Sequence, residues 1–224
     1  MTEVPVGVVP VGAANIVARN LGLPLYFQQR AADVALTGAP RALSVGWVTC
    51  LVDAAWTGYM PMLAVAGVGR DAQAIAATRP WLKRHVGWLA YAESGGRAAF
   101  DAALPMSVSL DDGPPRPVEA WSVLVAALPR LPLGVVAFAG VAPGDDAFQV
   151  LQVVLHRPRE WWPAAAKGIA HSGLSVSALR YDRARVVEVR PYQPCDVQLD
   201  GDLVSDVAAM RVRLQAAAIT VATP

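Results

Sequence analysis

Polar and apolar residues alternate along the second half of the chain. Met106, Val108 and Leu110 are apolar, while Ser107, Ser109 and Asp111 between them are polar. Met210, Val212 and Leu214 alternate with Arg211, Arg213 and Gln215, and Val197 and Leu199 with Gln198 and Asp200. A period of two places successive side chains on opposite faces of a strand, so these segments are predicted to be half-buried strands. Asp112-Gly113 and Asp200-Gly201 are turn signals between them. Residues 42–67 are rich in Val, Trp, Thr and Leu with breaks at Gly58 and Pro61, which predicts two or three strands. The most apolar stretch, Val123 to Val141, is interrupted by Pro129, Arg130 and Pro132. A membrane-spanning helix needs about 20 unbroken apolar residues, so two buried strands joined by a turn are expected here instead.

The first half reads differently. Val4 to Val9 is an apolar run without alternation, as in a strand buried on both faces of a parallel sheet. A turn over Pro10 to Ala14 follows, and Asn15 is placed to cap a helix beginning at Ile16. A second helix is predicted from about Tyr26 to Leu36, closed by Gly38. The alanine-rich segment from Arg70 to Leu104 reads as helical, interrupted at Pro80 and Gly95-Gly96, and a short helix is expected over Arg159 to Ile169. The chain is thus a strand–turn–helix unit followed by a β-rich region.

Composition narrows the classes. Of 224 residues, 54% are hydrophobic and 17% charged, which suits a packed globular chain rather than a disordered one. The net charge of +1 provides no polyelectrolyte field and argues against nucleic acid as a main partner. Cys50 and Cys195 are far apart and form no CxxC pair, so neither a disulfide framework nor a cysteine zinc site is expected, and reduced thiols are the natural reading. The N-terminal residues have no basic stretch leading into a long apolar one, so they do not read as a secretory signal.

Three segments could carry chemistry. The glycine turn at Gly12 feeds a helix N-terminus, where backbone N–H groups and the helix dipole favour an anion, although many such turns bind nothing. Val197 to Asp206 (VQLDGDLVSD) is a strand ending in an Asp-Gly turn with two carboxylates, Asp200 and Asp202, a pattern that fits solvated turn acids as well as a site. Val141 to Val153 carries adjacent acids, Asp145 and Asp146, before a strand. His85, His156 and His171 have no metal-ligand spacing, and no serine sits in a GxSxG elbow. Trp161-Trp162 near Arg157 and Arg159 suits either core packing or a membrane boundary.

The stretch VPVGVVPVGAANIVARNLGLP resembles a segment of the diacylglycerol kinases and their sphingosine kinase relatives, PLGTxNxxAxxLGxP, at Pro10, Gly12, Asn15, Ala18, Leu21, Gly22 and Pro24. VQLDGDLVSD is similar to a strand near that family's C-terminus ending in DGE or DGD, and VAPGDDAFQVLQV is similar to its APxAxxDDGxLDV segment. AGVGRDAQ at Ala66 to Gln73, HVGWLAYAESG at His85 to Gly95 and the closing AAAITVATP resemble further family pieces, all in family order.

The resemblance implies an α+β protein: the tail of a Rossmann-like nucleotide domain over residues 1–40, then a β-sandwich-type lipid-kinase domain over residues 41–224. It implies ATP held near Gly12, Ala13 and Asn15, with Ala13 standing where the family has a threonine. It implies Asp202 as the proton acceptor for a lipid hydroxyl, and Mg²⁺ held by Asp146 with carbonyls near Pro143 and Phe148. Ala147 and Gln149 replace a glycine and an acid of that last segment, and the family's GGDGT motif is expected in a segment preceding Met1. The implied activity is phosphorylation of diacylglycerol or a related lipid by a cytoplasmic protein working peripherally at the inner face of a membrane, with a homodimer left open. The second reading is a catalytically inactive remnant or pseudokinase that binds a lipid or a partner.

Overall fold

The computed structural model describes residues 4–12, 14–76, 102–131, 136–154 and 177–224. Two helices come first, α1 (Ile16–Asn20) and α2 (Gln28–Thr37). The chain then enters β1 (Ala39–Val52), β2 (Ala55–Trp56), β3 (Met60–Met62) and β4 (Val65–Gly69), and turns into α3 (Arg70–Ala76). The remaining strands are β5 (Leu104–Leu110), β6 (Arg116–Ala120), β7 (Ser122–Ala126), β8 (Phe148–Val153), β9 (Leu179–Ala184), β10 (Val186–Pro191), β11 (Cys195–Leu199), β12 (Asp202–Val207) and β13 (Ala209–Thr223).

The strands form two antiparallel sheets. One runs β2-β1-β13-β10-β5-β6, with β3 also paired to β1, and the other runs β12-β11-β4-β7-β8-β9. The alternation explains how they meet. The inward positions of both sheets, among them Val48, Met106, Val187, Met210 and Val212 from the first and Val68, Val123, Val125, Val150, Val197 and Leu199 from the second, form one continuous core. That is a β-sandwich: each sheet hides its apolar face against the other. Met106 and Val108 face this core as the alternation predicts, and so do Val197, Leu199, Met210 and Val212.

Three expectations change. The apolar run Val4 to Val9 is not a regular strand; only Val6 pairs, in parallel, with Val221 of β13. The lone strand thus takes its partner from the last strand of the same chain. Of the stretch Val123 to Val141, the first part lies in β7, but Phe138 and Val141 sit in a loop. They form a second apolar cluster with Val65, Trp121, Ala126, Leu151 and Val153. The helical reading from Arg70 holds over α3 and has ended by Leu104, which opens β5. The other part of that reading, the short helix at Arg159 to Ile169, the three histidines and the Trp161-Trp162 pair lie outside the described residues. The N-terminal helices dock on the sandwich through Ala18, Leu21 and Leu23, which pack with Leu43, Ala64, Leu128 and Val221.

Candidate functional site

β11 and β12 pair with Leu199 opposite Asp202, so Asp200 and Gly201 form a two-residue turn. Both have positive φ, 51° and 99°. Two consecutive left-handed residues match the twist of a hairpin, and Asp-Gly meets that demand because glycine has no Cβ to strain. The two acids of this turn have different uses. The Asp200 carboxylate accepts the backbone N–H groups of Leu63 at 2.7 Å, Ala64 at 2.9 Å and Val65 at 2.8 Å. Its own N–H donates to the Val65 carbonyl at 2.9 Å. Burial of the carboxyl raises its pKa against the lowering effect of these donors, and the nearby Asp202 charge adds to the rise. Asp200 is therefore an anchor that ties the turn to the link between β3 and β4, not a solvated acid. Asp202 opens β12 and is exposed.

A second polar group lies against the same strand. The Asp71 Oδ1 accepts the Ser122 hydroxyl at 2.7 Å, and the Asp71 N–H donates to the Ser122 Oγ at 2.9 Å. Its Oδ2 is buried with no hydrogen-bond partner. Burial pushes the carboxyl up to about 6, against the Ser122 and Gln198 side chains, which favour the charged form. Asp71 lies over Gly67: a Cβ there would fall 1.8 Å from Oδ2, so only glycine leaves room. The sequence marks AGVGRDAQ, with its Gly69-Arg70-Asp71-Ala72 turn, as a family-like piece without giving Asp71 a role. The available signal is a glycine inside an otherwise apolar strand, which marks a close approach.

The Gly12 turn closes on itself. The Asn15 Oδ1 accepts the Gly12 N–H at 3.0 Å, and the Asn15 amide donates to the Gly12 carbonyl at 2.6 Å. Asn15 stands at the predicted cap position but in the left-handed conformation, with φ 47°, and makes no side-chain cap of α1. The Gly12 N–H, suited to meet a phosphate, is thus occupied within the turn. Ala13 lies outside the described residues. The helix behind this turn packs through Ala18, Leu21 and Leu23 in one cluster with Ala64, and Ala64 also bonds Asp200. The Gly12 and Asp202 turns are therefore joined through the β3–β4 link.

The third segment is held by arginines. The Asp146 carboxylate is 2.5 Å from the Arg185 guanidinium, whose Nε also bonds the Asp146 carbonyl at 2.9 Å. The Arg185 hydrogen bond, then its charge, hold the exposed Asp146 carboxyl below the usual carboxylate range. Asp145 accepts the Ala142 N–H at 3.0 Å and lies 3.5 Å from Arg183. Gln149 bonds the Gly140 N–H, and Phe148 is wholly buried at the start of β8. Among the described residues no group of three or more His, Cys, Asp or Glu is placed to hold a metal ion. Asp146 is the one side-chain carboxylate of the set Asp146, Pro143 and Phe148, and its exposed pairing with Arg185 would have to be shared with or yielded to a magnesium ion there.

No family model matches the chain. An uncharacterized protein of Synechocystis sp. is 30% identical over 165 residues, 68% of this chain. The chain spans 36% of that protein's length. Two crystal structures of proteins assigned as diacylglycerol kinases from Bacillus anthracis str. Sterne superpose on it with TM-scores of 0.73 and 0.70, at 18% and 17% identity. Each covers 96% of this chain and 67% of the other. This chain has their fold. No helix among the described residues is long and apolar enough to cross a membrane.

Proposed function

We propose that this chain is the acceptor-side part of an ATP-dependent lipid kinase, with Asp202 as general base. The lipid is diacylglycerol or a relative with a free hydroxyl, reached at a membrane surface. Asp202 accepts the hydroxyl proton as the lipid oxygen attacks the γ-phosphorus of ATP. The bond from that phosphorus to the bridging oxygen breaks, and the products are ADP and a lipid phosphomonoester. The turn at Gly12, Ala13 and Asn15 would face the donor phosphates. The Asp146 carboxylate is paired with Arg185, and no step is assigned to a metal there.

The observation that carries this reading is the division of labour in the Asp200-Gly201-Asp202 turn. Three N–H bonds fix Asp200, and Asp202, two residues on, is presented to solvent. A base must be held in place without being consumed by structural bonds, and this turn separates the two requirements. Asp202→Asn keeps the shape and removes the proton acceptor. Its kcat for lipid phosphorylation is expected to fall by ~10²-fold or more with lipid affinity retained, the range of general-base loss. Unchanged turnover in Asp202→Asn would remove Asp202 from the mechanism.

A further inference from the structure

We infer that Gln198 is a positioning residue for Asp202, held in turn by Asp71 and Ser122. This rests on Asp202 being the base, and it adds the residues that hold the base in place.

The placement follows from strand register. Gln198 is directly opposite Gly67 in the β11–β4 pairing. On the other side, Gly67 pairs with Leu124 of β7. Gly67 has no side chain, and the Asp71 carboxylate fills the space a Cβ would take. The carboxylate therefore lies beside Gln198 across the ladder. The strand alternation puts Val197 and Leu199 into the core and Gln198 on the opposite face, where solvent would be expected. Yet Gln198 is only 4% exposed, one of few buried polar residues among those described. A buried amide is tolerated when its groups are used.

One of those groups has a clear use. The Gln198 Oε1 accepts the N–H of Gly201 at 3.1 Å. Gly201 immediately precedes Asp202. This bond closes the turn from inside, while Asp200 closes it from the side of the β3–β4 link. With Oε1 committed to Gly201, the NH₂ end of the amide is the end available to the Asp71 carboxylate, and that acceptor disfavours the flipped amide. Ser122 fixes Asp71 through two hydrogen bonds, at Oδ1 and at the backbone. In order, Ser122 bonds Asp71, the Asp71 carboxylate lies beside Gln198, Gln198 bonds Gly201, and Gly201 leads into Asp202. Asp71 bonds Ser122 rather than the turn itself, so its influence on Gly201 and Asp202 passes through Gln198.

The experiment measures amide hydrogen exchange of Gly201 by NMR on the full chain. The variants are Gln198→Leu, Asp71→Asn, Gly67→Ala and the double variant Asp71→Asn/Gln198→Glu. Lipid phosphorylation kinetics are followed in parallel. Gln198→Leu removes the acceptor, so Gly201 exchange is expected to rise ~10-fold while the Val197 and Leu199 amides stay protected, the signature of a local opening. The double variant Asp71→Asn/Gln198→Glu reverses the amide–carboxylate pair, keeps an acceptor for Gly201 and should restore most of that protection. Asp71→Asn and Gly67→Ala should each raise Gly201 exchange several-fold, although both lie on other elements.

In kinetics, Gln198→Leu is expected to lower kcat by about 10-fold with KM for the lipid little changed, because a small displacement of the base is costly. The inference is overturned if Gly201 exchange in Asp71→Asn and Gly67→Ala matches the parent, or if Asp71→Asn/Gln198→Glu protects no better than Gln198→Leu. Failure of the base reading shows elsewhere, as full turnover in Asp202→Asn. In that case the exchange results would still report the brace on the turn.

Discussion

Asp71 shows how a single residue can weaken a fold it helps to organise. Burial pushes its carboxyl up to about 6 from an ordinary value of 3.8. A raised carboxyl pKa means that the native state holds the proton more tightly than the unfolded state. Stability therefore falls as pH rises from about 4 to about 6, and the full cost persists at neutral pH, on the order of 3 kcal/mol. Asp71→Asn removes the titration. Its urea midpoint at pH 7 is expected to lie above the parent's by about 1–3 kcal/mol of stability. The difference between the two proteins should shrink as the pH is lowered to 4. A variant less stable than the parent at pH 7 would contradict this. The two cysteines are quiet by comparison: burial pushes both thiols up to about 11, so neither is a ready nucleophile at neutral pH.

At the scale of elements, the β11–β12 hairpin depends on a bond network outside itself. Asp200→Ala would leave the N–H groups of Leu63, Ala64 and Val65 without their acceptor. A loss of about 1.5–3 kcal/mol is expected, the range for a hydrogen-bonded charge, read as a lower urea midpoint with an unchanged slope. Asp200→Asn keeps one carbonyl acceptor and should lose less. The hairpin itself was legible in the sequence, because Asp-Gly between alternating strands has a local cause. The separate use of its two acids was not. Asp200 acquires its role from N–H groups more than 130 residues earlier in the chain, whose placement depends on β4 lying beside β11. Gln198 was hidden by the same kind of cause. Alternation assigns it to the polar face, but only the tertiary arrangement reveals that this face is covered and that Gly67 stands opposite. The sheets were legible because each inward position obeys period two. The N-terminal run was not, because an apolar run specifies burial without specifying regular pairing.

At the scale of the molecule, the sandwich core is continuous and closed, whereas the N-terminal region is not. Val4, Val11, Tyr26, Phe27 and Leu36 are between 60% and 87% exposed. Apolar side chains gathered on one terminal region make the chain as written prone to self-association. Sizing chromatography is expected to show species larger than 23.6 kDa that shift toward the monomer when Phe27 and Leu36 are replaced by Lys. A monodisperse monomer at high concentration would contradict this expectation. The same scale holds the functional claim, because a lipid hydroxyl, a phosphate donor and Asp202 must meet in one assembly.

The most direct measurement is therefore transfer of label from [γ-³²P]ATP to lipid in mixed vesicles. It should be made with the longest natural form of the protein, comparing diacylglycerol with triacylglycerol. The account predicts label in the diacylglycerol product alone, since only that lipid offers a hydroxyl to Asp202. It also predicts that Asp202→Asn lowers the rate of this labelling by ~10²-fold or more. Label absent from both lipids, or undiminished in Asp202→Asn, would contradict the assignment of this turn as the site of proton removal.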